Sequence, residues 1–243
     1  MGAQALLNVT SYIDGHDFTG DSNQASVAFD AAILDASTFR SGGWTESAYG
    51  LKSAMYNLAG FWQSAATDAV DPELWAGFAV PDRVHTLAPD EIAGGAAYLM
   101  RMGENTYQLL DGGLELAKFT MNAVATGQNG TGAARGMLAK IKGAASATGA
   151  TGVGVNLGAV PAGQYLYATL HVFTAGTTIT VQVQSDDNSG FTTPTTVGTI
   201  GPLTVRGGSW MTRVAGPLTD TWFRFNVSAV TGAFVIAGAI GIG

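Results

Sequence analysis

The sequence contains no cysteine, so disulfides and thiolate metal sites are excluded outright. Histidine is nearly as scarce: His16, His85 and His171 stand far apart, with no His-Glu-x-x-His pair to seat a zinc ion. No Gly-x-Ser-x-Gly elbow and no Walker loop is present. Gly152-Val153-Gly154-Val155-Asn156-Leu157-Gly158 misses the dinucleotide fingerprint by one position and reads as loop glycine. Asp14/Asp17 and Asp186-Asp187 lack the spacing of a calcium loop. These absences predict a protein that is not an enzyme and that holds no cofactor and no metal. The longest apolar stretch, 233–242, falls far short of the ~20 residues of a membrane helix, and the opening residues lack the basic region of an export signal. No membrane partner is expected.

Charge is also thin. Only 12% of residues are charged, about half the usual share of roughly 25%. So few charges cover a monomer's surface poorly and suggest that much of it is buried against partners. The charge is lopsided as well: residues 1–117 carry net −11 and residues 118–243 net +4, within a total of −7. Two such halves can meet head to tail with complementary potentials. An acidic chain without a basic cluster has no counterion-release drive toward nucleic acid.

Glycine is abundant, at 34 of 243 residues, about twice common usage of roughly 7% and without collagen's period. That density marks short strands joined by many turns. Thr178–Gln184 alternates polar and apolar without a miss, and so does 223–228. Tyr165–Phe173 is apolar on both faces and is expected to be a central strand. The second half therefore reads as a β-sandwich of about 90 residues. Residues 142–154, nearly all Gly, Ala, Ser and Thr, read as a linker or flexible loop, which places a boundary near 148. The expected domains are 1–148 and 149–243.

The first half is less regular. Gln24–Phe29 alternates as a strand, and Asp30–Leu34 has the makings of a short helix capped by Asp30. Asp71-Pro72-Glu73 predicts a helix start with an acid cap followed by proline. Leu51–Trp62 fits a helical face through Leu51, Met55, Leu58 and Trp62. It fits a strand face through Ala54, Tyr56 and Leu58, and periodicity alone leaves both open. Leu114 and Leu116 share a parity that Lys118 breaks, which suggests a bulge near Leu116.

The run Ile13-Asp14-Gly15-His16-Asp17-Phe18-Thr19-Gly20-Asp21-Ser22-Asn23 resembles the opening of phage tail tube (major tail) proteins. Leu34-Asp35-Ala36-Ser37-Thr38-Phe39 resembles that family's Asp-x-Thr-x-Phe element, and Gly43-Trp44 with Gly50-Leu51-Lys52 resembles the strand after it. That similarity favours the strand reading of Leu51–Trp62. Tyr167–Val172, Val183–Asp187 and Thr219–Arg224 are similar to the C-terminal part of long-tailed phage tail proteins. The segment 65–95 is an insertion relative to the tube pattern.

The resemblance implies a mainly β fold: a tail-tube-like β-sandwich or barrel with a short helix, followed by a second β-sandwich. It implies a virion structural protein, made in the host cytoplasm, whose copies form stacked rings around a hollow bore. Rings would be hexamers, or trimers with pseudo-sixfold symmetry, in contact with other tail proteins. DNA would pass through without specific binding. By position, ring stacking or the lumen would involve Asp14, Asp17, Asp21, Asp35 and Lys52. The alternative readings are a capsid decoration protein, or a carbohydrate-binding adhesion protein with a platform of Trp210, Trp222 and Tyr165.

Overall fold

The computed structural model describes residues 8–65, 69–109, 116–127 and 132–243. The chain opens with a tight hairpin of β1 (Thr10–Ile13) and β2 (His16–Asp17), then a long one of β3 (Ser22–Asp35) and β4 (Ser47–Phe61). The helix α1 (Val70–Gly77) leads to β5 (Arg83–Ala88), β6 (Ala96–Leu109), β7 (Lys118–Ala125), β8 (Ala133–Ala145) and β9 (Gly149–Asn156). Then come β10 (Tyr165–Thr174), β11 (Thr178–Asp186), β12 (Thr195–Leu203), β13 (Gly207–Trp210), β14 (Val214–Ala215), β15 (Trp222–Thr231) and β16 (Phe234–Ile242). The fold is almost all β, as expected.

Two antiparallel sheets carry these strands. The larger runs β13-β10-β16-β8-β6-β5-β1-β2, with β14 beside β10 and a branch β7-β4-β3 leaving β6. The smaller runs β12-β11-β15-β9. The larger sheet curls until its ends touch through side chains: Thr86 Oγ1 lies 3.1 Å from Thr169 Oγ1, and the Gly15 N–H donates to His171 Nδ1 at 3.3 Å. Small residues make this curl possible. Ala88, Ala97, Ala134, Ala237 and Ala239 fill its interior beside Tyr12, Leu99 and Tyr167.

Each outer face of the curled sheet has its own cover. On one side Val181, Val183, Phe223, Phe225 and Val227 pack over Leu170, Val172, Ile236 and Ile240. On the other, Leu58, Phe119 and Met121 pack with Leu74 over Leu87, Met100 and Met102. Each of these large side chains contributes roughly 1.5–3 kcal/mol when fully buried. The sandwich reading of residues 178–228 thus has a physical basis: the alternating residues of β11 and β15 form its apolar face.

Several local expectations fail. Residues 142–154 are no linker: they complete β8 and form most of β9. Their small side chains serve close approach instead. Gly152 has φ +79°, and a Cβ there would overlap the carbonyl of Ala139. The hydrogen-bonded sheet also continues across position 148, because β16 pairs with β8 from Phe234↔Ala145 to Ile242↔Arg135. Asp30–Leu34 is strand, paired with β4, and not a capped helix. The helix begins at Val70 with Ala69 before it and no side-chain cap. Asp71 instead accepts bonds from Trp62 Nε1 at 3.2 Å and Tyr107 Oη at 2.7 Å. Leu116 lies ahead of β7 and is exposed, so the broken parity marks a strand start and not a bulge. Leu114 lies outside the described residues.

The β8–β16 contact is tight enough to test. A Cβ on Gly136 would sit 2.5 Å from Gly241 Cα and closer still to the Ile240 carbonyl oxygen. The obstacle is backbone and cannot swing aside. Gly136→Ala should therefore destabilise the fold by about 1–3 kcal/mol, read as a lower urea midpoint at unchanged slope. A neutral substitution would contradict the close approach.

A candidate assembly surface

The β3–β4 hairpin outgrows the body. Near its base, β4 pairs with β7 from Met55↔Val124 to Phe61↔Lys118. From Ala54 outward β4 has only β3 beside it, and β3 has no partner on its other edge among the described residues. At about 3.4 Å per residue, roughly 25 Å of two-stranded ribbon stands clear. Such a ribbon is marginal alone, with an open edge available to another strand.

The ribbon's side chains show what it is built to meet. Val27 and Tyr56 face the core, and Tyr56 is fully buried with its hydroxyl 2.6 Å from Ser11 Oγ. The same face continues outward through Phe29 to Ile33, opposite Tyr49, which are 71% and 84% exposed. The opposite face carries Met55, Asp30 and Leu34, and Phe39 and Trp44 crown the tip loop in full exposure. A register shift of one residue opposite Ala31–Ile33 leaves Leu51 88% exposed. Exposed large apolar side chains grouped in this way are the pattern of an interaction surface.

The five candidate residues divide between arm and body. Asp35 sits at the arm's end, where it accepts the Ser37 N–H at 2.8 Å and where the Ser37 bonds lower its pKa. Lys52 lies exposed on the arm, opposite Ala31. Asp14, Asp17 and Asp21 belong to the body and have partners within the chain. Asp17 is 2.7 Å from Lys142 Nζ, and Asp21 accepts from Gln63 Nε2 at 2.6 Å. Asp14, at φ +47°, accepts the Gly208 N–H at 2.8 Å and approaches Arg83 Nε at 3.4 Å.

Asp14 instead opens a polar seam that pattern reading missed. The seam joins the β1–β2 turn to β5, β6 and β13. Arg83 pairs with Glu104, both buried, and His85 Nε2 lies 3.8 Å from the same carboxylate. Arg206 Nε donates to the Gly15 carbonyl at 3.0 Å, and its guanidinium meets His16, which pairs with Glu73 of α1. Burial pushes Glu104 up to about 7 against the opposing pull of Arg83, while Asp14 and Glu73 push it further up. Burial holds His85 well below the usual histidine range. His171, fully buried with Nε2 at 2.9 Å from Thr86 Oγ1, is pushed down to about 3 for the same reason. Since its Nδ1 accepts from Gly15, the proton sits on Nε2. No signal in the sequence links partners so far apart along the chain.

Two further surfaces bear on the alternative readings. Among the described residues no three His, Asp or Glu side chains gather as metal ligands. A depression of about 250 Å³ beside Ser11, Thr19, Ser22 and Gln24 contains Glu91 as its one titratable lining group. Of the aromatic platform residues, Tyr165 and Trp210 belong to one surface, linked through Tyr167, and Trp222 stands apart on β15.

No protein-family profile matches the chain, and no curated protein matches it. Some solved structures do. A chain of the virion of a native gene transfer agent particle is 20% identical with a TM-score of 0.41, over 50% of this chain and 93% of that one. A chain from the tail of an empty gene transfer agent particle, solved with C6 symmetry, gives the same values. The SPP1 Dit protein, described as a hub adsorption apparatus of phages infecting Gram-positive hosts, is 10% identical with a TM-score of 0.37. That match covers 96% of this chain and 98% of that chain.

Proposed function

We propose that this chain is a structural subunit of a phage-type tail whose copies assemble into rings, and that stacked rings form the tube through which the genome passes. One observation carries the reading: the β3–β4 arm is apolar on both faces and along its tip, beyond the reach of its own core. Covering it in an assembled ring removes that surface from water. The tail-like motifs at 13–23, 34–39 and 43–52 fall on this arm and the turn beneath it. Within the reading, Asp35 and Lys52 belong to contacts between subunits. The acidic first half keeps a DNA passage from becoming adhesive. Ring order, six copies or three with pseudo-sixfold symmetry, follows from whether residues 149–243 form a second tube unit. The chain acts without catalysis, in the virion.

The test is negative-stain microscopy and sedimentation of the purified protein from low to high concentration. Rings and open-ended tubes are the expected result. Closed trimers that never stack would move the chain to a capsid decoration role. A monomer at all concentrations would end the assembly reading.

A further inference from the structure

Helix α1 ends in an apolar shelf that the chain's own core does not use. Val70, Leu74 and Gly77 face the body. Gly77 sits so close that a Cβ there would overlap the Arg83 guanidinium and the Glu104 carboxylate. The turn that follows is held by backbone: the Ala79 N–H donates to the Glu104 carbonyl at 2.9 Å, and the Val80 N–H to the Gly77 carbonyl at 3.0 Å. Ala79 has φ +61°, a left-handed conformation that alanine adopts at a cost. This arrangement leaves Trp75, Ala76, Phe78, Ala79 and Val80 exposed. Trp75 and Phe78 stack with their ring planes 11° apart, and Trp75 is still 70% exposed. A shelf already fixed in this way loses little freedom when a partner covers it.

The arm's tip has the matching character. Phe39 and Trp44 are exposed there, and so is Arg40 next to Phe39. The arm does not bring this tip to its own shelf. β3 and β4 pair from Ser22↔Gly60 out to Asp35↔Ser47, and α1 adjoins the other end of β4, where the Asp71 N–H donates to the Gln63 carbonyl at 3.0 Å. Charge is complementary as well. Residues 70–82 hold Asp71, Glu73 and Asp82 and no lysine or arginine. Asp82 accepts from the Thr126 hydroxyl at 2.5 Å, a neutral partner that leaves its charge in place. Arg40 has no carboxylate partner among the described residues.

We propose that the α1 shelf receives the arm tip of a second copy of this chain, with Phe39 and Trp44 against Trp75 and Phe78 and with Arg40 beside Asp82. The proposal rests on the arm being an assembly surface, and it names what the tip meets. A second copy fits because each chain carries both halves of the contact. Four aromatic side chains of roughly 150–250 Å² each, partly exposed, supply a contact on the order of 500–700 Å². That falls short of the ~1,200 Å² at which a stable pair begins. The contact is therefore weak singly and holds where copies of it act together in one assembly.

The absence of cysteine makes cross-linking a clean test. Thr45→Cys, beside Trp44, and Ala76→Cys, beside Trp75, change exposed positions and leave every proposed contact residue in place. The two full-length variants are mixed, one carrying an isotope label, and treated with a short bismaleimide at a concentration where the parent assembles. Mixed dimers, identified by mass, should exceed same-variant dimers at least tenfold. Same-variant dimers as the main product would put tip on tip or shelf on shelf and overturn the proposal. So would a mixture without dimers while the parent assembles. Sedimentation supplies the second arm, with a thermal melt to confirm folding. Trp75→Asp with Phe78→Asp should weaken self-association at least tenfold, and Arg40→Glu should weaken it more at low salt than at high salt. Unchanged association of the shelf variant, while Ile33→Asp with Tyr49→Asp abolishes it, would overturn the shelf and leave the arm reading standing. If neither pair matters, both readings fall.

Discussion

Ile33→Asp combined with Tyr49→Asp should abolish assembly while leaving the monomer folded. The two residues oppose each other on the arm and are mostly exposed in the isolated chain, so the fold loses little when they change. In an assembly their burial contributes roughly 1.5–3 kcal/mol each per contact. The variant forfeits that and also places two carboxylates in a desolvated interface, which adds several kcal/mol of cost. Self-association should fall by at least a hundredfold, with a melting temperature within a few degrees of the parent. Sedimentation velocity and far-UV circular dichroism measure both. Retention of rings in the variant would show that the arm is not what holds copies together, and a cooperative loss of fold would show that it belongs to the core.

This arm also explains why the sequence was misleading there. Strands announce themselves by alternation when one face is buried and the other wet. Ala28-Phe29-Asp30-Ala31-Ala32-Ile33-Leu34 does not alternate, because the arm's two faces are both apolar. The pattern therefore reads as a capped helix. By contrast Phe223, Phe225 and Val227 lie under a single cover and were legible at once. Residues 142–154 misled for a related reason. Small residues read as slack chain, but here they let β8 and β9 cross close to neighbouring backbone. The seam was invisible for a simpler reason. Arg83 and Glu104 are 21 residues apart, and Asp14 meets Gly208 across 194. The pairing of β5 with β6 sets Arg83 opposite Met102 and so beside Glu104, and the curl of the larger sheet brings Asp14 to Gly208.

The seam gives the second large effect, and its sign depends on pH. Arg83→Met removes the buried cation and keeps the bulk of the side chain. Glu104, 1% exposed, then has no counter-charge, and its ordinary burial already holds its pKa near 7. Breaking a buried pair by removing one partner costs about 3–5 kcal/mol, and that loss is expected at pH 8.5. At pH 5 the folded chain keeps Glu104 protonated, so the carboxyl no longer demands a cation and the loss should shrink. A raised acid pKa means that the folded state binds the proton more tightly than the unfolded state. In the parent, the Glu104 contribution therefore declines as pH rises from about 4.5, the usual glutamate value, to about 7, and is flat above. Without Arg83 the folded pKa moves further up and the decline continues past 7. Glu104→Gln should remove this titration, with Asp14 still facing Arg83. Urea unfolding at pH 5, 7 and 8.5 resolves the pattern. An equal loss at all three pH values would mean that Arg83 acts through packing alone. Because the seam lies in the body and the apolar arm stands outside it, Arg83→Met at pH 5 should still assemble, which separates the buried charge of the body from the surface that joins the copies.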